Sequence, residues 1–418
     1  MNSKIIFAFV TRVTVSLVNF FIIAITAKFL GAEARGNISL ILLAITLSQV
    51  VHQFIGGNPL VYFAKKTALR NLLIPSYIWA IISAAGITYT LNVIKQIPAE
   101  YVYDIFILSA IQSLLATHIT ILLAYEKIKE QNLITFIQAL ITISWLCVYI
   151  FLLNSRNIND YINALYLSYT ICFLISLGFL LNAKANITHE FSLSISFIKD
   201  LLNYGLVIQS TNIVQMLNYR LSYFLINNYA GTAALGVFST AVAIGESVWL
   251  FSKSLTNVQY PKIVHETDSK LRIELTIKYA KAGLIGTVLL ILPLLIIPTS
   301  LFEFIFGKEF SEIKWLIILL TPGLVAMGFT TMFAHYFSGI SQNRINLFAS
   351  GTGLIVTLVA GFVFIPKALN TGACITADLS YLAASLLLLI VFIKSTNNKA
   401  GTLFPKLDDL KSLTRLLK

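Results

Sequence analysis

Apolar stretches of about 20 residues, the length an α-helix needs to cross a bilayer, recur from Phe7 to Ile393 with mostly short polar connections between them. They predict spans near 4–30, 36–64, 72–94, 101–125, 131–153, 160–182, 199–229, 233–262, 277–298, 313–340, 343–365 and 372–394. The predicted fold is therefore an all-α polytopic membrane protein with twelve transmembrane helices. Polar faces recur on a few of these spans at helical spacing, three, four or seven residues apart, where side chains share a face.

Composition agrees with that pattern. Only 11% of the chain is charged and 57% is hydrophobic, with a mean hydropathy of +0.82, against about 25% charge in a soluble domain. A net charge of +12 would suggest nucleic acid in a soluble protein, but here it sorts by loop. With the N-terminus in the cytoplasm, 20 Lys and Arg fall on inner segments and 7 on outer ones, so both termini are expected to be cytoplasmic. Lys4 followed by an apolar stretch could imitate a signal peptide, yet Arg12 interrupts it and the run continues to Leu30; an uncleaved first span is expected. Cys147, Cys172 and Cys374 each lie in an apolar run without metal-ligand spacing, so neither disulfide nor metal site is expected.

A duplication is visible at an offset of 200. Gly31-Ala32-Glu33-Ala34-Arg35-Gly36-Asn37-Ile38-Ser39 aligns with Gly231-Thr232-Ala233-Ala234-Leu235-Gly236-Val237-Phe238-Ser239, sharing both glycines, an Ala and the Ser. Pro59 and Pro261 match later in each second span with a two-residue slip. The glycines suit a tight outer turn and close helix packing. An even number of spans separates the copies, so two pseudo-symmetric six-helix halves are expected around a central cavity, the substrate path. The organisation is then an N-terminal lobe over 1–182, a cytoplasmic interfacial linker over 183–198, a C-terminal lobe over 199–395 and a basic tail over 396–418. In the linker, Ile187, Phe191, Ile195 and Ile198 recur at helical spacing. In the tail, Leu407, Leu410, Leu413 and Leu417 form a stripe behind Pro405 and Asp408; an amphipathic helix on the inner leaflet and a frayed basic end are both open readings.

A charge at mid-bilayer costs roughly 2.5–3.5 kcal/mol on insertion scales, which makes each one a functional candidate. Asp104, Asp378 and Glu126 lie near span ends, where a structural role is favoured, whereas Arg12, His52, His118, Arg220, Glu246, Lys253 and His335 lie deeper. Span 7 carries Gln209, Asn212, Gln215, Tyr219, Arg220, Tyr223 and Asn227 as a polar, aromatic stripe, and span 8 carries Ser239, Glu246, Lys253 and Asn257. Arg12, Ser16 and Asn19 in span 1, and Gln49, His52 and Gln53 in span 2, do the same. Such faces avoid lipid and are expected to line a shared aqueous cavity. Its deep charges, Arg12, Arg220 and Lys253 against Glu246, favour an anionic substrate. Tyr219, Tyr223 and Trp249 suit sugar rings, with interhelical packing the alternative. Glu246 has three readings: a counter-ion for Lys253 or Arg220, a proton-coupling site, or a helix–helix bond. Phosphate-binding, zinc-hydrolase and serine-hydrolase motifs are all missing from the sequence, so the chain is expected not to be an enzyme and to use no cofactor.

The twelve spans, the duplicated halves and the Leu30-Gly31-Ala32-Glu33-Ala34-Arg35-Gly36 turn resemble bacterial polysaccharide-biosynthesis flippases of the O-antigen (Wzx) type. These belong to a superfamily shared with multidrug extruders and lipid II flippases. The resemblance extends over 1–395. It implies alternating-access transfer of an undecaprenyl-pyrophosphate-linked oligosaccharide, an O-antigen or capsule repeat unit, from the cytoplasmic to the periplasmic leaflet of the inner membrane. It also implies a cationic cavity, to which Arg12, Arg220 and Lys253 are assigned, with Glu246 as coupling or counter-ion residue. One departure stands out: relatives often place an acidic residue just after the span 7 base, where this chain has Leu221 and Ser222. Expected energy sources are a proton or sodium gradient, and expected partners are membrane lipids and a polysaccharide polymerase or glycosyltransferase. A drug/cation antiporter of the same superfamily, and behind it a membrane glycan polymerase, are the rival readings. The first calls for a cavity with excess carboxylate and the second for a large external loop.

Overall fold

The structure, a computed structural model, describes residues 3–182, 194–403 and 405. Its helices are α1 (Ser3–Gly56), α2 (Asn58–Phe63), α3 (Leu69–Val93), α4 (Val102–Ala124), α5 (Ile128–Cys147), α6 (Ile158–Asn182), α7 (Ile195–Glu246), α8 (Trp249–His265), α9 (Ser269–Ile296), α10 (Thr299–Phe306), α11 (Ile313–Gly339) and α12 (Asn343–Thr396). No strand occurs among the described residues. Among the described residues, eight helices are long and apolar enough to cross a membrane, and a ninth candidate is the pair Gln209–Glu246 and Trp249–His265, bent by 43°. The chain is a multi-pass membrane protein. Large apolar side chains such as Ile78, Leu174, Val359 and Phe362 stay exposed, as they can where lipid rather than water surrounds the helix.

Three of these helices are broken by a single residue. Gly31 in α1 has φ 86° and ψ 176°, and Gly231 in α7 has φ 84° and ψ 171°. This region is essentially closed to side-chain-bearing residues. The duplicated motif therefore carries a duplicated backbone conformation, which its identities alone did not establish. Breaks of this kind reverse the chain. In α12, broken at Leu369, Ser380 Oγ donates to the Gly353 carbonyl at 3.0 Å, although a straight helix would hold residues so far apart in sequence about 40 Å apart. The breaks in α1, α7 and α12 fall between spans the sequence predicts as separate, and by length and composition the described residues hold eight or nine candidate spans against the twelve expected. The expectation of close packing at the first glycine of the motif does not hold at Gly231, where an added Cβ would meet nothing within 4 Å; torsion alone demands glycine there. The paired prolines also differ, since Pro59 opens α2 while Pro261 lies inside α8.

The chain divides into two compact units, Met1–Ile213 and Val214–Lys418, so the opening turns of α7 group with the first. The packing there gives the reason. An added Cβ at Gly205 would lie 1.8 Å from the Phe54 carbonyl oxygen, and Phe63 meets Phe197 edge to face at 5.4 Å. Ile55, Leu60, Leu72, Ile121 and Leu201 form the adjoining core. In the second unit, Phe333, Tyr336, Phe337 and Phe392 form an aromatic core that also takes in Leu403. Asp268 caps α9, its side chain accepting from the Lys270 amide. The helical stripe expected over 187–198 falls largely on 183–193, outside the described residues, with Ile195 and Ile198 forming the first turn of α7. The predicted tail helix also lies outside them, apart from Pro405.

Leu369 occupies φ 47°, ψ −122°, a conformation that strains a residue with a Cβ, and it is 46% exposed, so little packing offsets the strain. Leu369→Gly is expected to raise thermal stability and Gly231→Ala to lower it, each by about 1–3 kcal/mol. Melting of the detergent-solubilised chain measures both, and a destabilised Leu369→Gly would contradict the strain argument.

Candidate functional site

The polar residues predicted to line one cavity sort into distinct environments. In the first unit, Arg12 and Asn19 are exposed, and Gln49 and Gln53 are half-buried. His52 departs from the prediction: it is fully buried, with Nε2 2.9 Å from Thr117 Oγ1. The reason is Gly56 one turn on, whose missing side chain leaves the space the imidazole ring fills. His118 is likewise interior, held between the Tyr77 hydroxyl and Ser176 Oγ. Gln209 is buried and accepts from Asn212 Nδ2 at 2.5 Å. His118 thus has a partner at each ring nitrogen, whereas His52 is bonded through Nε2 and its buried Nδ1 has no hydrogen-bond partner.

In the second unit one arrangement stands out. Arg220 and Glu246 both lie on α7, 26 positions apart, with Gly231 between them. A straight helix would separate them by about 39 Å. The reversal at Gly231 instead places Arg220 Nη2 2.7 Å from Glu246 Oε2 and Nη1 3.0 Å from Oε1. The pair is a two-pronged guanidinium–carboxylate bridge, the geometry in which such bonds are strongest. Tyr381 on α12 adds a third donor, its hydroxyl 3.2 Å from Glu246 Oε1. The Arg220 side chain is 28% exposed and that of Glu246 15%, so the bridge is not fully enclosed by protein.

Aromatic rings surround it. Tyr381 meets Tyr219 and Trp249 edge to face, both at 5.5 Å, and the Arg220 guanidinium lies 5.2 Å from the Tyr223 ring centre. Tyr223 and Trp249, expected to offer faces to sugars, are buried, and the Trp249 indole N–H is committed to the Leu324 carbonyl at 2.9 Å. Both rings are thus enclosed by protein, as the packing alternative expects. Tyr219 stays half-buried and accepts from Gln215 Nε2 at 2.9 Å.

Span 8 corrects a further expectation. Glu246 and Lys253 are seven residues apart and were predicted to share a face with Ser239 and Asn257. The helix breaks between Glu246 and Trp249 with the 43° bend, which ends that register. Glu246 turns to Arg220, Ser239 is buried, and Lys253 and Asn257 are exposed. Of the counter-ion partners considered for Glu246, the geometry selects Arg220. Carboxylates near span ends have structural partners: Asp104 accepts from Tyr166 at 2.8 Å, Glu126 pairs with Lys65 at 2.9 Å, and Asp378 accepts from the Gly323 amide.

The sequence reading missed Tyr381. Its signal was available, because Asp378, Tyr381 and Ser385 repeat at helical spacing in the last span. Asn218 was missed too; it is buried, accepting from Thr357 at 2.8 Å and from Ser380 at 2.5 Å. No group of three or more potential metal-ligating side chains occurs among the described residues.

Comparison with solved structures places this architecture. An inward-facing multidrug-resistance MATE transporter of the MOP superfamily superposes with a TM-score of 0.69 at 15% identity, covering 93% of this chain and 98% of that one. The lipid II flippase MurJ in an inward closed conformation also gives 0.69, at 13% identity, covering 98% of this chain and 90% of that one. The chain shares the fold of these two proteins. Among curated proteins, the capsular polysaccharide biosynthesis protein CapF of Staphylococcus aureus is 24% identical over 264 residues, 62% of this chain and 67% of that protein. No protein-family profile matches. The MOP fold at these identities fixes architecture, and the chemistry has to come from this chain's own residues.

Removing one partner of a partly desolvated ion pair leaves the other charge stranded, whereas replacing both by apolar groups need not destabilise. Arg220→Met alone is expected to cost about 2–3 kcal/mol and the double variant Arg220→Met/Glu246→Leu clearly less. Denaturation of the four proteins in the cycle measures this, and strictly additive losses would mean that the bridge carries no coupling.

Proposed function

We propose that the chain is a non-enzymatic flippase that carries an undecaprenyl-pyrophosphate-linked oligosaccharide from the cytoplasmic to the periplasmic leaflet of the bacterial inner membrane by alternating access. The observation that carries the reading is the charge balance on the polar helices. Glu246, the one deep carboxylate, is taken by Arg220, while Arg12 and Lys253 are exposed and form no ion pair among the described residues. The unneutralised charge is basic, which suits a diphosphate-bearing substrate. Similarity to a capsular polysaccharide biosynthesis protein and the fold held in common with a lipid II flippase support the same substrate class. In this reading Arg220 and Lys253 contact phosphate or acidic sugars, Arg12 serves the inner entrance, and a proton or sodium gradient drives the cycle. A polymerase or glycosyltransferase would act on the same glycan before or after transfer, and both termini would lie in the cytoplasm.

The second reading, a drug/cation antiporter, is favoured by the equally close MATE structure and opposed by the charge balance. Leaflet assignment of lipid-linked oligosaccharides in a strain lacking the gene separates the possibilities. Completed repeat units accumulating on the cytoplasmic face, with surface polysaccharide lost and not restored by Arg220→Ala expressed at wild-type level, is the expected result. Single units on the outer face without long polymer would indicate a polymerase instead, and an unchanged glycan profile would move the assignment to small-molecule export.

A further inference from the structure

The carboxylate of Glu246 is held in a way that describes another anion. Two guanidinium N–H groups of Arg220 and the Tyr381 hydroxyl converge on its two oxygens, at 3.0, 2.7 and 3.2 Å. Convergent Arg and phenol donors at such distances are an oxyanion cradle that a phosphate oxygen pair fits equally well, since Arg binds carboxylate and phosphate in the same forked geometry. The walls are rigid: Tyr381 is 1% exposed and packed edge to face on Tyr219 and Trp249. Trp249 is pinned through its indole N–H to the Leu324 carbonyl. The contents are less enclosed, with Arg220 28% and Glu246 15% exposed. Glu246 is also the last helical residue before the turn that separates α7 from α8, so its side chain sits where the helix yields most readily.

We propose that Glu246 is an internal substitute for the substrate's diphosphate, occupying the Arg220–Tyr381 cradle when the carrier is empty and giving it up when a diphosphate arrives. This rests on the flippase reading for its biological substrate and adds to it a mechanism of binding and release. Exchange conserves the bonds at the cradle: the donors on Arg220 and Tyr381 pass from one oxyanion to another, no covalent bond changes, and Glu246 withdraws to the solvent its partial exposure already admits. The same competition that weakens binding assists release, because the tethered carboxylate is always at hand to reclaim Arg220. An empty carrier would also return with its arginine neutralised, avoiding an unpaired charge in a low-dielectric interior.

The arrangement predicts an unusual pairing of effects, in which loss of an acidic residue tightens anion binding and slows turnover. Calorimetry on the purified full chain in lipid nanodiscs, with inorganic pyrophosphate as one probe and a short polyprenyl diphosphate as the other, reads the first effect. Glu246→Gln is expected to bind at least one probe about tenfold more tightly than the wild-type chain, with Arg220→Gln losing that binding. Tightening with both probes identifies the diphosphate itself as the ligand; tightening with the polyprenyl probe alone identifies the lipid-borne form. Should Glu246→Gln prove too unstable to purify, Glu246→Asp, too short to keep both bonds to Arg220, is expected to bind two- to fivefold more tightly, a shift of under about 1 kcal/mol. Binding unchanged or weakened with both probes when the carboxylate is removed or shortened would make Glu246 a structural counter-ion and overturn the proposal, as would retention of binding by Arg220→Gln. Export in the deletion strain complemented with Glu246→Gln reads the second effect, where slowed export is expected and wild-type export overturns the release role. A failed leaflet assay alongside tightened diphosphate binding would remove the flippase reading while leaving the cradle intact. The reverse result would do the opposite.

Discussion

Everything distinctive in the second unit depends on one backbone reversal. A helix that ran straight through Gly231 would hold Arg220 and Glu246 far apart, each an uncompensated charge facing lipid or apolar side chains. With φ at 84° and ψ at 171°, the helix doubles back, and the two charges become a single neutralised bridge at 2.7 Å. A charge that would oppose insertion becomes tolerable because the reversal supplies its partner. Glycine at position 231 is thus connected to the chemistry of residues it does not touch. Tyr381 reaches the bridge from α12, which Leu369 breaks in turn.

The duplicated glycine gives the fold its economy. The same torsions at Gly31 and Gly231 form two hairpins at equivalent places, but the halves then diverge in what they bury. The first unit encloses neutral pairs such as His52 with Thr117 and His118 with Ser176. The second holds a half-buried ion pair, Arg220 with Glu246, while the charged side chains Arg35 and Asp160 are buried in the first.

The spans were legible in the sequence because hydrocarbon leaves the backbone no alternative to helix, so apolar length alone fixes an element. The three breaks were legible as well, since Gly31, Gly231 and Leu369 all fall in gaps between predicted spans. The site was legible only in part. Helical spacing identified Arg220 and Glu246 as deep charges, yet it joined Glu246 to Lys253 through a register that the 43° bend interrupts. It placed His52 on a cavity wall because spacing reports which residues share a face, not which way the face turns. That direction is set by Gly56, whose missing side chain admits the ring. Tyr381 shows the same limit: its spacing with Asp378 and Ser385 marked a polar face, but its partner lies 135 positions away, and no local period names a partner over that distance.

Burial of the aromatic residues changes what the site can recognise. Trp249 and Tyr223 are buried, and the polar tip of Trp249 is bound to protein, so these rings wall the Arg220–Glu246 bridge. Under the proposed flippase reading, a site built this way would discriminate by charge and by the spacing of anionic oxygens, with little purchase on the identity of the glycan beyond. On that reading the division of labour would suit a carrier that accepts a bulky, variable oligosaccharide by its diphosphate. Selectivity among glycans would then have to come from the exposed polar positions, Asn19, Asn212, Lys253 and Asn257, where substitutions leave the bridge untouched.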